Sequence, residues 1–183
     1  MNFTSRGQFS TIRQRFFGFF FIVRLLLLLF SLPMCFPGVS HAKETCPWLN
    51  EVTAAGFLDG TVTSTVTHSD QNKDDANCDF TLRHRSATTV LRIEVETMAA
   101  PQADFAPYLA RCGAHAAPLR AIGNEAVVCG FDGKKKQVSE QVVGRVRERA
   151  FTVRITSNSG LSDRAVLRDK VQKVAEQVAG FLF

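Results

Sequence analysis

The sequence predicts an α+β fold: two layers, an antiparallel sheet of about five to six strands with helices packed on one face, in the order α-βββ-α-βββ-α. Three observations carry this. Thr61 to Thr67 alternates strictly, with Thr61, Thr63, Thr65 and Thr67 against Val62, Ser64 and Val66, which is the period of a strand with one wet face. Leu167, Val171, Val174, Val178, Phe181 and Leu182 recur every three to four residues, which is the period of an amphipathic helix. The remaining strand-like segments each keep a polar side, as expected of an antiparallel sheet whose apolar side is covered by helices.

Pro47 to Leu58 reads as the first helix, with Pro47 at its first position and Asp59-Gly60 ending it. After the Thr61 to Thr67 strand, Ser69 to Asn77 is a polar loop. Asp79 to Arg85 is the second strand, with Phe80 and Leu82 inward and Thr81 and Arg83 outward. Thr88 to Met98 is the third, with Leu91, Ile93 and Val95 inward and Arg92, Glu94 and Glu96 outward. Asp104 is placed to cap a second helix, with Pro107 in its first turn, Phe105, Tyr108, Leu109 and Cys112 as its apolar face and Gly113 as its stop. Ala126 to Phe131 and Val138 to Val146 flank an Asp132-Gly133 hairpin signal. Glu140 shares a parity with Val138 and Val142, so the facing of that strand stays open and a bulge is one way out. Arg149 to Thr156 is the last strand, with Phe151, Val153 and Ile155 inward. Ser162 then caps the final helix.

Ahead of these elements lies a segment of different character. Arg6, Arg13 and Arg15 precede an apolar run from Phe16 to Phe36, and Ser40-His41-Ala42 comes after it. Basic, apolar, small is the layout of a secretory signal peptide, so residues 1–42 are expected to direct export and 43–183 to form one exported domain, beginning at Lys43 after cleavage. Two alternatives stand beside cleavage. About 20 apolar residues suffice to cross a bilayer, so residues 16–36 also suit an uncleaved anchor, although Arg24 interrupts them. Cys35 offers an acylation site, but Met34 before it is not small. All three routes place the domain in the periplasm or outside the cell, with membrane contact only through the N-terminal segment.

The net charge of +5 belongs mostly to that segment. Without its four arginines, 18 basic residues face 17 acidic ones in residues 43–183, a net of +1. Charge therefore gives no case for nucleic acid or anionic lipid as a partner. Cys46, Cys78, Cys112 and Cys129 remain in the exported part, an even number in an oxidising compartment, which reads as two disulfides. Three pairings are possible. Cys46–Cys78 with Cys112–Cys129 closes the shortest loops and is the expected one.

Motifs of chemistry are sparse. Asp70 to Asp75 resembles the start of a calcium loop, but Asp75 stands where glycine is required and Thr81 where glutamate is. His68, His84 and His115 have no metal-ligand spacing, and His84, sharing parity with Phe80 and Leu82, reads as a core-edge side chain. Gly-x-Ser-x-Gly and phosphate-binding glycine loops are absent from the sequence. No metal, cofactor or catalytic residue is expected. Trp48, Phe57 and Tyr108 read as core residues with a helix-sheet groove as the alternative, and Lys134-Lys135-Lys136 as a hairpin tip. Arg83, Arg92, Arg145 and Arg154, with Arg85 near them, share the outward parity and offer a binding surface for an anion on the bare sheet face.

Leu119-Arg-Ala-Ile-Gly-Asn-Glu-Ala126, followed by strand, hairpin and strand, resembles the small secreted lipoprotein and kinase-sensor domains of actinobacteria. The resemblance covers most of Cys46 to Phe183. It implies a short helix soon after the membrane segment, a cysteine at the head of a strand as Cys78 is, and a bridge such as Cys112–Cys129 into the strand after the turn. It also implies sensing of a ligand or of the cell wall. The acylation site of those lipoproteins is matched at Cys35 only in part, because Met34 is not small, so a lipid anchor is not carried over. The expected function is thus a non-catalytic domain that binds a small molecule or an envelope protein. A structural envelope component and, further off, an envelope hydrolase are the alternatives.

Overall fold

A computed structural model describes residues 44–72, 74–132, 137–159 and 163–183. Residues 1–43, with the expected signal peptide, Lys73, Gly133, Lys134 to Lys136 and Ser162 lie outside the described residues. The chain divides at Ala42/Lys43 into two units, and every described residue belongs to the second.

The fold is α+β, built on an open antiparallel sheet. Helix α1 (Glu51–Leu58) is followed by β1 (Val62–His68), β2 (Ala76–His84) and β3 (Ala87–Thr97). Helix α2 (Pro101–Ala110) leads to β4 (Ala117–Leu119), β5 (Glu125–Asp132), β6 (Val138–Val146) and β7 (Arg149–Ser157), and α3 (Arg164–Leu182) closes the chain. The spatial order is β1-β2-β3-β7-β6-β5-β4. Two meanders therefore meet along β3 and β7, and α2 carries the chain to the far edge of the sheet.

One face is apolar throughout. Phe80, Leu91, Ile93, Val95, Phe151, Val153 and Ile155 form one buried cluster with Val171, Val174 and Val178 of α3 and Ala54 and Leu58 of α1. The inward residues read from the alternation are thus all in place. Phe181 differs: expected in this contact, it is 61% exposed, and lies beside Pro47 and Trp48 at the end of the helix.

Three amendments to the expected architecture arise from connections. The sheet has seven strands, because the three-residue β4, too short to show alternation, pairs with β5. The helices do not all share one face. Phe105 and Cys112 pack with Val143, Ala150 and Cys129, whose parity is opposite to that of Val142 and Phe151, so α2 lies on the other side. Cys129 stands opposite Gln141, two residues from Val143, which fixes that facing. Finally, β6 has no bulge among its paired residues: its register with β5 and β7 is continuous from Val138 to Val146. Glu140 does point into the apolar face, fully buried, where Arg164 Nη1 and Arg168 Nε of α3 donate to its oxygens at 2.8 and 3.0 Å. Gly130 opposite makes room for this triad, since a Cβ there would lie 2.1 Å from Glu140 Oε1.

Helix starts also shift, each for a capping reason. The first helix begins at Glu51 rather than Pro47, because Asn50 Oδ1 accepts from Thr53 N–H at 2.8 Å while Trp48 and Leu49 are buried. The second begins at Pro101, with Pro at N1; Asp104 reaches back to accept from Ala100 N–H at 2.8 Å, and Pro107 falls inside the helix. The third is capped by Asp163, which accepts from Ala165 N–H at 2.8 Å.

Both disulfides take the sequential pairing. Cys46–Cys78 spans 5.8 Å between Cα atoms and Cys112–Cys129 spans 5.5 Å. The first ties the chain before α1 to the apolar face; the second ties the end of α2 to the opposite one.

Candidate functional site: the polar face of the sheet

The face that carries α2 is polar wherever the helix does not lie. Strand alternation puts Thr63, Thr65, Asp79, Thr81, Arg83, Val90, Arg92, Glu94, Arg154, Gln141 and Arg145 on it, in register across β1, β2, β3, β7 and β6. The four arginines expected on one face are therefore on one face. They do not converge on one point. Arg92 forms a fork with Asp79, two bonds of 2.7 Å. Arg145 approaches Glu125 at 3.5 Å and lies 5.9 Å from the Phe105 ring. Arg83 stands at the exposed end of β2. Arg85 occupies a left-handed turn position, φ 54°, between β2 and β3. Arg154 is directly opposite Arg92 and donates its Nε–H to Gln141 Oε1 at 2.9 Å.

Arg154 acquires a second cation that sequence reasoning missed. Arg111, at the end of α2, lines the same pocket of about 410 Å³, together with Phe131, Gln137, Ser139 and Thr156. Arg111 lies over the Tyr108 ring, 4.6 Å from its centroid, and its Nη1 is 3.4 Å from Glu94. Tyr108 in turn donates to Glu96. Burial, and then that hydrogen bond, push the Tyr108 phenol above its ordinary value. Gln141 is fully buried, and its Nε2 lies 3.6 Å and 3.4 Å from the sulfurs of Cys112 and Cys129. The disulfide thus positions both walls: Arg111 precedes one of its cysteines, and Gln141 bridges its sulfurs to Arg154. The signal that points to Arg111 is its place beside Cys112, but only the pairing gives that place meaning.

Other sequence readings find different surroundings. His84 is exposed at the end of β2 rather than at a core edge, because the strand runs past the helices there. Trp48 and Phe57 belong to the apolar cluster and Tyr108 to the opposite one, so they line no common groove. Asp75 accepts from Thr97 Oγ1 at 2.8 Å and lies 3.5 Å from Arg149 Nη2. Among the described residues no three His, Cys, Asp or Glu side chains group as a metal site.

The Gly-Asn-Glu-Ala turn has a physical reading of its own. Gly123 has φ 64°, and a Cβ there would lie 2.4 Å from Arg145 O. Asn124 N–H donates to Arg145 O at 2.8 Å, and Asn124 Oδ1 accepts from Arg147 N–H at 2.6 Å. The turn is a clasp on the β6–β7 hairpin. No protein-family model, curated protein or solved structure matches this chain.

Proposed function

We propose that this is an exported, non-catalytic binding or sensing domain of the cell envelope, and that the polar face outside the α2 footprint is its recognition surface. The observation that carries the reading is the asymmetry of coverage. Two helices bury the apolar face, while α2 covers only part of the other and leaves ordered side chains across β1, β2 and β3 in water. Exposed polar arrays on a rigid sheet suit recognition.

Several groups that serve as catalysts elsewhere have other employment here. All four cysteines of the domain are in disulfides. Glu140 is locked between two arginines. The Tyr108 phenol is raised rather than lowered, the wrong direction for a base at neutral pH. Two disulfides suit an oxidising compartment, and the layout of residues 1–42 supports export. The resemblance to actinobacterial sensor domains, carried by the clasp turn and the cysteines, points the same way.

Photo-crosslinking in intact producing cells tests the surface. A photoreactive residue at Thr81, on the polar face, is expected to give a discrete adduct, while one at Lys173, on the outer side of α3, gives none. Equal yields from the two sites would overturn the assignment of the polar face. Intact mass of the recovered protein reports the export route: a start at Lys43 marks cleavage, and a full-length mass marks an anchor.

A further inference from the structure

We infer that the pocket between Arg111 and Arg154 binds a small monoanion, a carboxylate carried on a flat apolar body. The inference rests on the polar face being the recognition surface and names the ligand class of one part of it. Charge comes first. The pocket is lined by two guanidinium groups and, among the described residues, by no carboxylate. Arg111 already faces Glu94 at 3.4 Å. Arg154 meets only the neutral Gln141, through Nε, and its terminal nitrogens have no partner among the described residues. Among the described residues the pocket therefore offers about one uncompensated positive charge, which matches a monoanion better than a dianion.

Geometry narrows the class further. A guanidinium edge donates two parallel N–H bonds, the arrangement that a carboxylate accepts. The edge here is pre-set: Arg154 is half-buried and fixed through Gln141, which itself sits against the disulfide sulfurs. Less side-chain freedom is then lost on binding than at a free surface arginine. Ser139 Oγ and Thr156 Oγ1, 2.6 Å apart, make one side of the pocket polar. Phe131 supplies a half-buried aromatic surface on another, against which a flat apolar group stacks.

Ligand-observed NMR on the full-length chain in non-ionic detergent, with disulfides intact, tests this with benzoate, acetate and benzyl alcohol as probes. Benzoate is expected to saturate at millimolar concentration, acetate to bind more weakly, and the uncharged benzyl alcohol not to saturate. Arg154→Gln should weaken benzoate by about tenfold or more, the scale of one lost charge-assisted fork. Lys173→Gln, on the outer side of α3, should leave it unchanged. Should Arg154→Gln fail to melt cooperatively, Arg111→Gln at the exposed helix end reads the same loss. Absence of saturable benzoate binding, equal binding of benzyl alcohol, or an unchanged affinity in the arginine variants would overturn the inference. None of those outcomes alters the expected crosslinking difference between Thr81 and Lys173, whose failure would instead remove the wider reading.

Discussion

On one face of the sheet, six residues of α3 are buried, and four of them, Val171, Val174, Ala175 and Val178, are wholly inaccessible. On the other, α2 buries only Phe105 within its own length. The first contact is held by apolar area over five turns of helix. The second is held by Phe105, the Cys112–Cys129 bridge and a chain of polar contacts through Arg111, Tyr108, Glu94 and Glu96. The covered face sets whether the chain folds. The polar face is held by directional contacts that fix particular atoms in place, as the proposed role in recognition would require.

The largest test of this contrast strikes the apolar face. Val174→Asp puts an unpaired carboxylate where no water reaches, and a loss above about 4 kcal/mol is expected, seen as the absence of a cooperative melt. Lys173→Asp, one residue away and paired only with Asp169 at 2.7 Å, should melt nearly as the parent does. Equal melts for the two would break the two-face account.

The next test concerns Glu140, the one charge buried on the apolar face among the described residues. Replacing Arg164 and Arg168 together by Met strands the Glu140 carboxylate, and about 3 kcal/mol should be lost. Glu140→Met should cost much less, because both arginines are about two-fifths exposed and turn to water once released. Denaturant melts of the two variants compare them directly. A Glu140→Met loss equal to the double variant's would mean that the arginines, too, depend on the pair.

The smallest effect belongs to the polar face and to pH. Tyr108 has a raised folded value, so the fold favours the protonated phenol. Its contribution is whole below about pH 10, where the unfolded phenol keeps its proton, and is lost as pH rises through the folded value. Tyr108 is the only tyrosine in the chain, so phenolate absorbance reports it alone. Ionisation at the ordinary value would contradict the contact with Glu96, and Tyr108→Phe should flatten the alkaline slope of the melts.

Much of the sheet was legible from residues because alternation is a local property. Val62, Phe80, Leu91, Ile93, Val95, Phe151, Val153 and Ile155 all face where their parity puts them. The side on which α2 lies was not legible. Cys112 and Cys129 show that helix and strand face each other, but only the crossing from β3 to the far edge decides which face that is. Glu140 was ambiguous for a related reason: its partners, Arg164 and Arg168, are 24 and 28 residues away. The arginine face was half legible. Parity placed Arg83, Arg92, Arg145 and Arg154 together, but nothing local showed that Asp79 would occupy Arg92, or that Arg111 would join Arg154.

An open sheet has two outer strands, and each presents backbone groups to any chain that comes alongside. On β1, Glu51 Oε1 accepts from Ser64 N–H at 3.1 Å and from the Ser64 hydroxyl as well. On β4, Pro118 has no N–H to give, and the strand ends after three residues. Each border is thus blunted at one position by the protein's own atoms. A second copy of this chain coming alongside finds Ser64 N–H already taken and no N–H at Pro118, so strand addition is opposed at those two positions.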